Sequence, residues 1–179
     1  GRMPARFWFR LFKPWDKRRP GIAHFSWRGN MQELSPERAE FLARDYSQGF
    51  IAFCRFEPES VAWGQFASSL AVQDFHRQQD GFIHAGVLAT MADHTAGYAG
   101  FTVAPENHQI LTVEFKINFL RPSYGQTVIC ESSVLKPGKT LIVAESNLWD
   151  QRGENRVQTA RATVTLMAVA QEELARGGK

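Results

Sequence analysis

Cysteine is scarce: Cys54 and Cys130 are the only two in 179 residues. Neither belongs to a CxxC pair or a Cys/His cluster, so no zinc site and no other metal site is expected. Both lie inside strand-like apolar patterns and are expected as buried reduced thiols, in keeping with a reducing, cytoplasmic-type compartment. Runs of 18 or more apolar residues are also missing, so no membrane-spanning helix is expected. Acidic residues are nearly absent from positions 1–28, where Asp16 stands against eight Lys and Arg, a surplus of seven positive charges. The whole chain carries only +3, so the remainder carries −4. Basicity is thus a property of one end, and a nucleic-acid partner is not expected of the mildly acidic body. No G-x-S-x-G elbow, no H-E-x-x-H pair, no internal repeat and no low-complexity tract occurs.

What is present fits one globular domain with an arm: 44% hydrophobic and 22% charged residues. The expected division is an arm over 1–34, a domain over 35–170 and a tail over 171–179. Gly1-Arg2 precede Met3 as an appended pair would, and the native start is expected at Met3. The arm mixes cations with Phe7, Trp8, Phe9, Phe12, Trp15, Phe25 and Trp27, while Pro4, Pro14 and Pro20 interrupt any long helix. It lacks the uninterrupted apolar stretch of a secretory signal. Packing of its aromatics on the body or on a partner subunit is the first expectation, peripheral membrane contact the second, and an Arg-rich targeting peptide the third.

Ser35-Pro36 opens a helix with a cap and a first-turn proline, carrying Phe41, Leu42 and Tyr46 on one face and ending at Gly49. Strands are expected at 50–57 and 60–67 around a Glu57-Pro58-Glu59 turn, then a polar loop over 74–83. From His84 to Phe101 the period becomes helical, with Ala85, Leu88, Ala89, Ala92, Ala96 and Ala99 recurring among few charges. Small side chains let a sheet approach such a helix closely, so it is expected to be buried. Residues 111–119 alternate strictly, with Leu111, Val113, Phe115, Ile117 and Phe119 apolar and Thr112, Glu114, Lys116 and Asn118 polar. Strands at 126–136, 139–150 and 156–169 follow, divided by turns at 136–139 and 150–153. The sum is an α+β fold whose antiparallel sheet packs on one long central helix.

Asp93 interrupts the small-residue helix. A carboxylate there is costly unless paired or hydrogen-bonded. It serves either chemistry, where burial raises basicity, or a salt bridge on an exposed stripe or an interface; sequence weighs the two about equally.

The stretch Gln78-x-x-Gly81-x-x-His84-Ala85-Gly86, with Asp93 nine residues after His84, resembles the phenylacetyl-CoA thioesterase-like branch of the hotdog superfamily. Residues 111–122, ending in Arg121-Pro122, resemble that family's strand after the helix. The resemblance covers roughly 36–169 and implies a hotdog fold and an acyl-CoA thioesterase that needs no cofactor. It further implies that the Ala85 backbone N–H donates to the developing oxyanion while Asp93 activates water or attacks directly. In this family the two groups meet across a dimer interface, so a homodimer or a dimer of dimers is expected. Ala85 replaces the first glycine of the family motif and keeps the N–H if its φ is negative. Gln78 stands where the family often has Asn. Thr112 matches a position that helps place the water, and is equally an ordinary strand threonine. His84 is expected as scaffold rather than as acid or base. His94 should point away from Asp93, about 100° around the helix. Gly81 in the motif loop, with Lys116, Arg121, Lys136 and Lys139, is the candidate substrate-binding set, the cations for the CoA phosphates. Two alternatives stay open: a non-catalytic acyl-CoA or partner-binding module, and a hydratase or dehydratase on the same fold.

Overall fold

A computed structural model describes residues 33–177, with side chains through Ala175. The expectations for residues 1–32 lie outside the described residues. Helix α1 (Pro36–Tyr46) starts as its sequence dictates: the Ser35 side chain accepts from the Arg38 N–H at 3.2 Å, and Pro36 occupies the first turn. Its buried face is Leu42, Ala43 and Tyr46, whereas Phe41 is exposed beneath the Arg38 guanidinium. The helix stops at Ser47, before Gly49, because Gly49 opens a second helix.

That second helix corrects the expected strand at 50–57. Helix α2 spans Gly49–Cys54 and closes on Arg55, which is left-handed at φ +58°. A five-residue apolar run carries no periodicity that separates helix from strand; here only Ile51 is buried. Strand β1 (Phe56–Ala62) therefore runs straight through Glu57-Pro58-Glu59, where a turn was expected. Pro58 is tolerated because β1 is an edge strand and bulges between Pro58 and Ser60. The actual turn is Trp63-Gly64, with Gly64 at φ +68°, and β2 is Gln65–Ala71 rather than 60–67.

The polar segment that follows holds one short 3₁₀ turn (Asp74–His76) before α3 (Ala85–Phe101) begins where expected. Then come β3 (His108–Phe119), β4 (Thr127–Lys136), β5 (Leu141–Arg152), β6 (Asn155–Ala170) and a short α4 (Gln171–Gly177) in place of a plain tail. The β5–β6 turn is Gly153-Glu154, so Asp150 is a buried strand residue and not a turn residue. All pairings are antiparallel, in the order β1-β2-β4-β5-β6-β3. Helix α3 lies across one face of this six-stranded sheet, over Ala160, Ala162, Val164 and Leu166 of β6. The approach is tight: a Cβ on Gly100 would sit 2.8 Å from Leu166 Cδ1. Small polar side chains under the helix find partners on it. Ser146 donates to the Ala92 carbonyl at 2.7 Å, and Thr95, which donates to Met91, also bonds Tyr46 and Ser68. Buried hydroxyls without such partners would oppose folding.

Strand β3 departs from strict alternation. It pairs only with β6, and its register slips between Thr112 and Glu114. Before the slip Thr112 pairs with Leu166; after it Phe115 pairs with Val164 and Ile117 with Ala162, all three β6 residues lying under α3. Cross-strand partners share a face, so the Val113 bulge reverses the parity of the strand. Thr112 is thereby moved off the Glu114–Lys116 face and onto the helix face. Being at an edge, the strand leaves Leu111, Val113, Phe115 and Phe119 exposed at 38–56%.

Candidate active site

The N-terminus of α3 is organised by His84. It is the N-cap, at φ −61° and ψ 135°, and its Nδ1 accepts the Gly86 N–H at 2.9 Å. Its own N–H donates to the His76 carbonyl at 2.9 Å. With Nδ1 accepting, the neutral ring carries its proton on Nε2. A Cβ on Gly86 would lie 3.0 Å from His84 Nδ1, which accounts for glycine there. The Ala85 φ is not positive, and its N–H donates to no group among the described residues. It therefore remains an exposed helix-terminal donor, reinforced by the positive end of the helix dipole.

Gln78 enters through its main chain. Its N–H donates to Phe82 O at 2.8 Å and its carbonyl accepts from Gly81 at 2.9 Å, with Gly81 at φ +82° closing the turn. Sequence reasoning missed what fastens this loop. Arg77 donates to the Gly81, Tyr124 and Gly125 carbonyls, and Asp150 accepts the Tyr124 and Gly125 N–H groups. Nothing in the sequence marks these residues, because each acts on main-chain atoms distant along the chain.

Asp93 is half-buried two turns further along α3, and its Oδ1 accepts from Thr112 Oγ1 at 2.8 Å. Burial raises its pKa above the ordinary aspartate value, opposed by the Thr112 hydrogen bond and by the nearby His94. The described ion pairs are Arg152–Asp150, Arg156–Glu131 and Arg161–Glu145, so no cation pairs with Asp93 among the described residues. His94 turns the other way: its Nε2 meets the Tyr46 carbonyl at 3.0 Å, and its ring packs against Tyr46 and Tyr98. Burial lowers its pKa, opposed by that carbonyl, Asp93 and Asp45. Cys130 is buried, its thiol pushed up to about 11 by desolvation, while Cys54 is partly exposed. Among the described residues no group of three His, Cys, Asp or Glu could hold a metal ion, and no helix is long and apolar enough to cross a membrane.

Within one chain the candidate cations do not converge. Lys116 is exposed on β3, and Arg121 follows that strand with Nη1 on the Gln158 carbonyl. Lys136 and Lys139 are exposed at the β4–β5 turn. Strands β3 and β5 both run antiparallel to β6, so Arg121 leaves one end of the sheet while Lys136 and Lys139 occupy the other. The two catalytic candidates are also apart: eight residues separate Ala85 from Asp93 on one straight helix, about 12 Å at 1.5 Å per residue.

Known proteins share the fold of this chain. A family model described as the thioesterase superfamily matches residues 80–157. A relative from Halobacterium salinarum is 32% identical over 122 residues, 64% of this chain and 80% of that protein. One from Saccharolobus solfataricus is 33% identical over 91 residues, 51% of this chain; the match spans 64% of that relative, just under two thirds of its length. Both carry the name "Putative esterase". Among solved structures, a thioesterase family protein from Silicibacter pomeroyi is 34% identical with a TM-score of 0.71, covering 73% of this chain and 98% of that one. The Escherichia coli PaaI protein from the phenylacetic acid degradation operon is similar in fold at 19% identity, TM-score 0.66, covering 75% and 95%. So is a Streptococcus mutans protein bound to acetyl-CoA, at 20% identity, TM-score 0.58, covering 65% and 90%. The chain belongs to the thioesterase superfamily and has its hotdog fold.

Proposed function

We propose that the protein hydrolyses acyl-CoA-type thioesters, with Asp93 of one copy and the Ala85 N–H of another acting on the same carbonyl. The observation that carries this is the pairing of an unpartnered helix-terminal N–H with a half-buried carboxylate fixed by Thr112, about 12 Å apart on one helix. A reacting carbonyl requires donor and base within roughly 3 Å of its own atoms, so one chain alone leaves the site incomplete. Strand β3 offers the means of pairing: a 12-residue edge with exposed Leu111, Val113, Phe115 and Phe119. Asp93 takes a proton from water as the oxygen attacks the thioester carbon. The Ala85 N–H steadies the oxyanion, and collapse breaks the C–S bond, returning the proton to the leaving thiolate. A raised carboxylate pKa makes Asp93 a stronger base for that first transfer. The acetyl-CoA in the Streptococcus mutans neighbour supports a CoA thioester as substrate class. Lys116 and Arg121, close to the paired edge, are then better placed for the CoA phosphates than Lys136 and Lys139.

Release of free thiol from acetyl- to palmitoyl-CoA and aromatic acyl-CoA tests this, with Asp93→Ala and Asp93→Asn alongside. Turnover by the wild type that both variants lose is the expected result. Tight binding of an acyl-CoA without turnover would instead identify a binding module.

A further inference from the structure

We propose that Arg77 and Asp150 are positioning residues that clamp the Tyr124–Gly125 main chain from opposite sides and thereby hold the loop presenting the Ala85 N–H. The clamp stands on geometry; its consequence for turnover rests on the thioesterase reading above.

Asp150 lies in β5 with no exposed surface. Its Oδ1 accepts the Gly125 N–H at 2.9 Å, and its Oδ2 accepts both the Tyr124 N–H at 3.0 Å and Arg152 Nε at 2.9 Å. A Cβ on Gly125 would fall 2.3 Å from Asp150 Oδ1, so only glycine fits this approach. On the carbonyl side, Arg77 Nη1 reaches Tyr124 O at 3.3 Å and Nη2 reaches Gly125 O at 3.0 Å. One side chain thus holds both N–H groups of the pair, and the other holds both carbonyls. The same Nη1 donates to Gly81 O at 2.9 Å, and the Ile83 N–H donates to Ser123 O at 2.8 Å. Those contacts fasten the Gln78–His84 loop to residues 123–125, and through Asp150 to the centre of the sheet. Ala85, the first residue of α3, follows that loop directly.

Arg77 makes no ion pair with a carboxylate among the described residues. Its planar fork spans three carbonyls on two loops, a task that the single ammonium of a lysine cannot reproduce. Such precision matters for an oxyanion donor, because a displacement of about 1 Å at a reacting centre costs about 100-fold in rate.

Hydrogen exchange read by mass spectrometry on the full chain tests the clamp without relying on activity, using wild type, Arg77→Ala, Arg77→Lys and Asp150→Asn. The hydrogen-bonded amides of Ile83, His84 and Gly86 should exchange at least about tenfold faster in Arg77→Ala and in Asp150→Asn, with Arg77→Lys intermediate and the β5–β6 amides unchanged. Wild-type protection of Ile83, His84 and Gly86 in Asp150→Asn overturns the clamp, and so does an equal rise throughout β5–β6. On an acyl-CoA substrate, kcat of Arg77→Lys and Asp150→Asn should fall by about 10- to 100-fold with KM within about threefold. The acidic limb of the kcat–pH profile should stay in place, since Asp93 is untouched. A loosened loop with unchanged kcat overturns the catalytic consequence. A loosened loop in a protein whose wild type hydrolyses no thioester leaves the clamp standing and refutes the thioesterase reading instead.

Discussion

Replacing Ala85 with proline removes one N–H and very little else. Ala85 is the first residue of α3, the helical position where proline is favoured because its missing N–H has no intrahelical partner. The residue before a proline is pushed to extended backbone, and His84 is already there at φ −61° and ψ 135°. The Ala85 N–H donates to no described group, so no internal hydrogen bond is lost, and the Gly86 N–H to His84 Nδ1 bond is untouched. Stability should therefore change by no more than about 0.5 kcal/mol, a Tm shift of about 2 °C or less for a domain of this size. Removal of an oxyanion donor costs about 2.7–4 kcal/mol of transition-state stabilisation, or about 100- to 1,000-fold in kcat. Thiol release under saturating acyl-CoA gives kcat, and calorimetry on the same samples gives Tm. Ala85→Ser, which keeps the N–H, should stay within about threefold of wild type by comparison. A proline variant with wild-type Tm and wild-type kcat would refute the assignment of this N–H, whatever Asp93 does.

Thr112→Val keeps the shape of the side chain and deletes the 2.8 Å bond to Asp93. A hydrogen bond to a charged group is worth about 1.5–3 kcal/mol; solvent screening at this half-exposed pair reduces that to ~1 kcal/mol, about a fivefold change in the carboxylate–acid ratio. Burial then acts with less opposition, so the acidic limb of the kcat–pH profile should move to higher pH; a limb that stays put would separate Thr112 from the chemistry. Asp93→Asn should gain stability while it loses turnover. Because burial holds the folded-state pKa above its unfolded value, the group's contribution to stability is complete below the unfolded pKa, about 4, and is lost as pH rises through the folded one. At neutral pH the variant escapes that loss, worth up to ~1 kcal/mol after screening and about 2–4 °C in Tm. The gain should vanish below about pH 4, and a Tm difference that ignores pH would contradict the burial argument. Val113→Glu with Phe119→Glu places charge at two exposed positions of the edge strand β3; light scattering should report the mass of one chain, with turnover lost, and an active assembly of unchanged size would exclude this edge as the interface.

Much of the fold is legible because local and global preferences agree along the last two thirds of the chain. The small-residue spacing of 84–101 gives a helix that a sheet can approach, and Lys136-Pro137-Gly138 punctuates a hairpin whose strands extend as expected. Failures gather where the deciding partner is far along the chain. Phe50–Cys54 reads as strand because an apolar run of five has no period, and only the docking of Ile51 makes it helix. Asp150 reads as a turn residue by type, yet the peptide groups of residues 124 and 125 bury it in a strand.

The same principle governs Thr112. Strict alternation across 111–119 assigns it to the polar face with Glu114 and Lys116, where it could not reach α3. The bulge at Val113 leaves no local mark, since it shows only when β3 is registered against β6, where Thr112 faces Leu166 and Phe115 faces Val164. A single unpaired residue thus transfers a hydroxyl from solvent to the carboxylate of Asp93, while Phe115 and Ile117 keep their apolar side toward the helix. Without the slip, one half of the strand or the other would present the wrong face to α3. The device that lets a hydroxyl and an apolar stripe share one face of β3 therefore sits at the edge where a second copy would complete the site. Deleting Val113 removes the extra residue itself and leaves a regular strand with Thr112 opposite Leu166 and Glu114 opposite Thr165, so Thr112 should keep its face and its hydrogen bond, the only one to the Asp93 carboxylate among the described residues.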